Sequence, residues 1–561
     1  MGDSTMEDST SPEYASRQSQ AEDENDKPSQ AVLAERDEKI DSTRCSPLPW
    51  ELIQHIVSYL DNLSIKNLRL TCRLFAALKL RINRVFISPH STDILAFYAL
   101  ASCDTYRHDI VEIVYDAAFV RCPPEFNDRI YDLPVFQTTQ MDIEQLWFQF
   151  ELNANIEEIN RRYGSGVGVL SKRLRKIRRA GRKLSMRHAR KHFIHLENEQ
   201  EHNIDSEDDA KAFRCALLHF PALRKVTITP ATHGCPFTPL YETPTIRAIP
   251  FGMNYPIPRG WPIRRGDNAV MYAAPWEEEK YIWRGYNMVA KILAQEKQHH
   301  RISEFMIDAH YIHTGLSCRL FEQRCQEYSN FRTILQQPNF KKLQLSLHVN
   351  GQELPDIDWA AFRNNLLRDA LAGASQLEHF NMETNWDMDL VDRRIQPPTL
   401  QTFLPIEGWA GLQHFRLWNF PLRSADLIST LSQLTGLRSI ELGFLDLYEG
   451  DNYHDLLNDM RGTLQLHERP VRPKVRLGIP IPDPNTRSRS DYIRGRAIWL
   501  DEEVEGFLYR NGDNLFVPGE DNLVHTMGVV RDAFDPAYER PYVPLPRVEH
   551  PQQNILGFRR G

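Results

Sequence analysis

The sequence predicts an α/β protein: a small unit of three helices, then an irregular solenoid of strand-plus-helix repeats with long insertions, all behind a disordered acidic N-terminal tail. Three observations predict it. Residues 1–44 hold 12 acids against 5 bases, a net of −7, whereas the whole chain of 561 residues nets −8 and the remaining 517 therefore net −1. Apolar residues recur at helical spacing between Leu52 and Phe75. A unit of the form apolar-x-x-apolar-x-apolar then recurs from Ile110 to Leu442.

The tail, residues 1–45, is rich in Ser, Asp, Glu and Gln and has Tyr14 as its lone aromatic. Such a composition cannot bury enough apolar surface to offset the entropy of ordering, so disorder is expected there. The rest is ordinary globular composition, with 41% apolar and 25% charged residues. Eight cysteines without a C-x-x-C pair argue against a zinc ribbon or a disulfide framework and fit a reducing compartment, cytoplasmic or nuclear. No apolar run approaches the length of a membrane span, and the polar, acidic start is not that of a secretory signal. Met1-Gly2 opens like a myristoylation site, but Met6 stands where Ser or Thr is required.

The helical unit spans 46–85. Pro49 suits a first helical turn, where its missing N–H costs nothing, and Glu51 favours the helix dipole. Leu52, Ile53, Ile56, Val57 and Leu60 follow at helical spacing until Asp61-Asn62 breaks the run. Ser64 can N-cap a second helix carrying Ile65, Leu68, Cys72 and Phe75, while Leu70, Leu74 and Leu78 add a second apolar stripe. Two stripes exceed what so small a unit can bury alone, so the surplus must meet the rest of the chain or another protein.

The residues of this stretch come in a particular order: Leu48-Pro49, an amphipathic helix to Leu60, Leu68 to Leu70, then Cys72-Arg73-Leu74-Phe75. In that order the stretch resembles an F-box, departing from it at Thr71, where Val is common. The resemblance implies a Skp-type adaptor as partner and, through it, a cullin. It also implies that Leu48, Pro49, Leu52, Ile53, Ile56, Leu60, Leu68 and Cys72 bury against that adaptor.

The recurring unit reads Ile110-Ile113-Tyr115, Leu223-Val226-Ile228, Ile302-Phe305-Ile307, Phe340-Leu343-Leu345, Leu377-Phe380-Met382, Leu412-Phe415-Leu417 and Leu437-Ile440-Leu442. Its last two residues alternate like a short strand, and helix-like segments such as Trp359–Leu371 and Ser424–Leu434 lie between units. A strand plus a helix repeated along a chain is the signature of a leucine-rich-repeat solenoid, here spread irregularly over 86–480. Together with the first resemblance, the chain is similar to fungal F-box proteins with irregular leucine-rich repeats. In that geometry the triplet faces the core and the interleaved residues face the concave surface. Lys342, His379, His414, Arg416, Trp418 and Glu441 are the candidate contacts to a protein substrate. Mixed charge with an exposed Trp suits a protein partner better than a phosphate backbone.

Two insertions interrupt the repeats. Within 161–210, residues 161–192 hold 13 Lys or Arg and no acid, and seven acids follow from Glu197 to Asp209. A basic helix with an acidic loop behind it is expected. Three roles fit: a self-neutralising surface, a nuclear-localisation signal, or contact with nucleic acid or an acidic tail. Without interleaved aromatics the segment has no surface for reading a nucleic-acid sequence. Residues 236–286 carry eight prolines and ten aromatics, which predicts an ordered loop across the solenoid, a structural cover or a lid on its concave face. The final segment, 481–561, is expected to wrap and cap the last repeat. It includes a hairpin signal at Asn511-Gly512 between Phe507-Leu508-Tyr509 and Leu515-Phe516-Val517.

No catalytic constellation emerges. Gly164-Ser165-Gly166-Val167-Gly168 follows no apolar strand and precedes no G-K-[ST]. His310, His313, Cys318 and Cys325 match no structural-zinc spacing. No catalytic, cofactor or metal residue is assigned. The F-box resemblance implies the function of a non-catalytic substrate-recognition subunit of a Skp–cullin–F-box ubiquitin ligase, and no membrane or nucleic-acid partner is expected. The alternative is a protein-interaction scaffold, nuclear or cytosolic, outside ubiquitination.

Overall fold

A computed structural model describes residues 48–121, 143–163, 181, 184–262, 273–386, 395–448, 450–480, 495–518, 527–535 and 540–544. The acidic tail and Gly164–Gly168 lie outside the described residues, as does the basic stretch from 164 to 180. The chain divides into two compact units, Met1–Arg81 and Ile82–Gly561.

The first unit holds helices α1 (Trp50–Ser58), α2 (Asn62–Arg69) and α3 (Arg73–Ala76). Pro49 is the N-cap residue of α1. Asp61, not Ser64, caps α2: its carboxylate accepts from the Ser64 N–H at 2.8 Å. An Asp ahead of the break competes better for that cap than a Ser already inside the first turn. Asn62 closes the unit by donating to the Arg81 carbonyl at 2.7 Å and accepting from the Arg81 N–H at 2.8 Å.

The second unit is built on one mostly parallel sheet. Strands β1 (Arg84–Ile87), β2 (Glu112–Asp116), β3 (Lys225–Thr229), β4 (Glu304–Ile307), β5 (Lys342–His348), β6 (His379–Thr384), β7 (His414–Trp418), β8 (Ser439–Gly443) and β9 (Lys474–Pro480) pair in chain order. Every one of these pairings is parallel. Three antiparallel strands extend the sheet: β10 (Arg496–Trp499), β11 (Met527–Asp532) and β12 (Arg540–Pro544). All seven predicted triplets are buried, and their strand residues stand in register: Ile113, Val226, Phe305, Leu343, Phe380, Phe415 and Ile440 form one lateral row. An eighth unit, Ile82-Val85-Ile87, fits the same pattern and opens the row ahead of the seven.

A helix follows most strands, and successive helices pack on one another to form a second layer: Asp208–His219 on Arg284–Gln295, that on Gln326–Leu335, then Leu366–Ala372 and onward to Ser424–Gln433 and Tyr453–Gly462. Parallel strands require such crossovers, and a sheet row that is apolar at every strand has to be covered by them. The main core fills the space between the layers. One buried ion pair pins it: Arg284 reaches Asp209 with two nitrogens, at 2.7 and 2.9 Å, and the Tyr115 hydroxyl donates to the same carboxylate at 2.7 Å.

The insertions differ from expectation. Six of the seven acids between Glu197 and Asp209 lie on two helices, Met186–Asp205 and Asp208–His219, rather than in a loop. The apolar face Ala189-Phe193-Leu196 packs there on Trp147 and Phe148 and makes the segment helical. The Pro- and aromatic-rich insertion splits. Tyr241 lies on the sheet face against Phe86, whereas Trp261, Trp276 and Trp283 join the main core. The predicted hairpin at Asn511-Gly512 is absent: Phe507, Leu508 and Tyr509 belong to helix Asp501–Tyr509. Asn511 (φ 56°) and the Gly512 N–H bonded to Gly506 O at 3.1 Å end that helix. The left-handed conformation that Asn-Gly favours serves a helix C-terminus as readily as a hairpin turn.

Candidate functional site

Helix α1 has two apolar faces. Ile53, Val57 and Leu60 turn inward, and Ile53 is only 5% exposed. Leu52 and Ile56, each 49% exposed, are joined on the outer side by Tyr59 and by Leu48 ahead of the helix. Helical spacing of four puts Leu52 and Ile56 one above the other. Leu63, Leu70 and Leu74 are exposed as well, Leu70 at 86%. Leu60, Leu68 and Cys72 are half-buried, and Pro49 is exposed. Ile53, named among the docking residues, lies buried within the unit. The Thr71 hydroxyl donates to the Leu68 carbonyl at 2.7 Å, so a polar side chain at that place is satisfied locally.

In the second unit the face opposite the helices carries the other candidates. Lys342, His379 and His414 are lateral neighbours at the start of β5, β6 and β7. The two imidazoles stack at 4.0 Å with 7° between their planes. Burial, the neighbouring His414 and Lys342 pull His379 down to about 4, so this row presents neutral rings at physiological pH. Two residues on, Arg416, Glu441 and Arg476 are also in register. Arg416 Nε lies 2.8 Å from Glu441, and Arg476 lies 3.6 Å from both Glu441 and Asp501, where Arg531 adds a contact at 3.0 Å. Opposite charges therefore alternate across the strands, although Arg416 Nε, Arg476 Nε and Asp501 Oδ1 make no hydrogen bond among the described residues.

Trp418, expected to be exposed, is 1% exposed. Its lateral partners on β8 and β9 are Gly443 and Gly478, and a Cβ at either would come within 2.7 Å of the indole. The two glycines let the ring lie down on the sheet. Tyr311, Phe444 and Trp499 then cover it, with ring centroids at 4.7, 4.9 and 5.3 Å. Alternation along a strand tells which side a residue takes but not what folds over it. The covering strap, Asp308–Thr314, comes from after β4 and crosses to β6 and β7, where the Tyr311 N–H bonds Glu383 at 3.1 Å. Burial pushes the Glu383 carboxyl up to about 7.

Residues 45–83 match the family model described as the F-box domain. The chain carries an F-box domain. No curated protein matches the chain. F-box domains bind Skp-type adaptors within Skp–cullin–F-box complexes, and F-box proteins are in general non-catalytic substrate receptors. In this F-box the outer face of α1 and Leu70 supply the apolar surface available to a partner.

Among the described residues His310, His313, Cys318 and Cys325 do not gather into one cluster. Cys318 is buried in the main core, and the Cys325 sulfur accepts from the Tyr328 N–H at 3.4 Å as a helix cap. Glu277, Cys325 and Glu327 do approach one another. Lys280 already places its ammonium 2.7 Å from Glu277 and 3.5 Å from Glu327. Among the described residues no helix is long and apolar enough to cross a membrane.

Proposed function

We propose that this chain is the substrate receptor of a Skp–cullin–F-box ubiquitin ligase. The F-box docks on the adaptor through Leu48, Leu52, Ile56 and Leu70. The body, read as an irregular leucine-rich-repeat-like solenoid of the fungal type, holds a target protein on the sheet face that carries Lys342, His379 and His414. The observation that carries the reading is the exposed apolar face of α1 within an F-box match. An apolar helix stripe left in water is stabilised by seating it in a partner's groove. The chain does no chemistry itself; it supplies proximity and orientation to the enzyme that transfers ubiquitin. Its place of action is the cytoplasm or the nucleus, where such a ligase meets its adaptor.

The test is capture of a purified Skp-type adaptor by the full chain beside a Leu52→Asp, Ile56→Asp variant. Capture by the wild type alone supports the reading. Capture by neither, with both folded, leaves a protein-interaction scaffold as the function.

A further inference from the structure

The sheet face that carries Trp418 does not close completely. A cavity of about 180 Å³ remains above it, walled by Tyr311, Trp418, Phe444 and Trp499, with Glu383 and Arg531 at its sides. Its size admits one aromatic ring: an engineered apolar cavity of about 150 Å³ already takes up benzene. Trp418 and Trp499 are buried, whereas Tyr311, His313 and Phe444 are half-buried and Arg531 is exposed, so the last four mark the mouth.

The walls are held at a cost. Tyr311, His313, Asn419 and Phe444 all line the cavity, and all four adopt φ between 51° and 61°, where side chains are disfavoured. Asn419 and Phe444 are the matching turns after β7 and β8, whose N–H groups bond the next strand at 2.9 and 3.1 Å, and Tyr311 and His313 belong to the strap, so repeat turns and strap together set the walls. The indole N–H of Trp418 is buried and has no acceptor among the described residues. A buried donor left unmet is destabilising, and this one is enclosed by protein rather than open to the cavity.

The charge around the rings decides what can enter. An aromatic box beside a carboxyl group invites a cation. Here, however, the protein's own cations hold the rings. Arg416 stands 5.1 Å from the Tyr311 ring and 5.0 Å from that of Trp418, and Arg531 stands 5.1 Å from Trp499. A second cation would meet the two guanidinium groups that line the cavity, those of Arg496 and Arg531, whereas a neutral ring would meet aromatic edges and faces.

We infer that this cavity is an anchor pocket for a single uncharged aromatic side chain of the target polypeptide. The inference rests on the receptor reading only for the source of that side chain. It does not depend on adaptor docking.

The test uses the full chain and end-blocked pentaglycine peptides whose central residue is replaced by Trp, Phe, Leu or trimethyl-lysine, with free indole as a fifth probe, each titrated by saturation-transfer NMR. The Trp and Phe peptides are expected to bind at least tenfold more tightly than the Leu and trimethyl-lysine peptides. Ala533→Trp, which fills the cavity from its lining, is expected to abolish the difference. Ala497→Leu provides a smaller fill should the first variant not fold. Equal binding of the Leu or trimethyl-lysine peptide, binding of indole without the peptides, no binding of any aromatic probe, or full binding by a folded filled variant would each overturn the inference. Adaptor capture by the same preparation is read separately, so loss of either result leaves the other interpretable.

Discussion

Leu52 and Leu343 are the same residue type in two settings. Leu52 is half exposed on a helix of nine residues, whereas Leu343 lies fully buried in a row that runs through the parallel strands. Three short helices have too little volume to hide two apolar stripes, and one stays exposed. The sheet unit is large enough to cover its apolar row with helices, and it covers even the charged side by alternating Arg416, Glu441, Arg476 and Asp501. Exposure in the first unit therefore follows from an interior too small for both stripes, and burial in the second from a layer of helices broad enough to cover the sheet.

Breaking the sheet core is expected to have the largest effect. Phe380→Ala removes a fully buried ring between Trp409 and Phe415 and should cost about 3–5 kcal/mol in a urea unfolding titration. Asp209→Ala should cost about 3 kcal/mol or more, because it strands the Arg284 guanidinium and the Tyr115 hydroxyl in the interior.

The Glu383 carboxyl sharpens the comparison through pH. Its value in the folded chain, about 7, lies above the ordinary 4.5, so its contribution is fully present below pH 4.5 and is lost as pH rises through 7. Stability of Glu383→Gln relative to wild type should rise between pH 4.5 and 8 by up to about 3 kcal/mol. A flat difference would mean that the carboxylate is well solvated.

In the F-box the two faces of α1 should separate cleanly. Leu52→Asp with Ile56→Asp should weaken adaptor binding by about 2 kcal/mol or more at an unchanged melting temperature. Ile53→Ala should instead lower the stability of the unit, as its burial requires. If Leu52→Asp unfolded the chain, the outer face would be structural after all. The smallest effect is expected at the surface. The Lys341–Glu378 pair, 2.7 Å apart and partly exposed on both sides, should contribute no more than about 0.5 kcal/mol in a double-mutant cycle.

The sequence by itself determined the periodicities. The F-box helices, the apolar triplets and their strand positions were legible because each depends on spacing within one element, and spacing is a property of the backbone. Local signals with two uses were misread: Asn511-Gly512 ends a helix instead of turning a hairpin, and Asp61 takes the cap assigned to Ser64. What only the tertiary structure decided was cover. Which side of α1 lies inward, why Trp418 is hidden, and that a strap from beyond β4 crosses the sheet face while the strands after 495 extend its edge and add Trp499 to the cover all depend on residues brought together from far along the chain. Gly443 and Gly478 show the physical reason: their role is set by an indole on a neighbouring strand, and no pattern within their own segments records it.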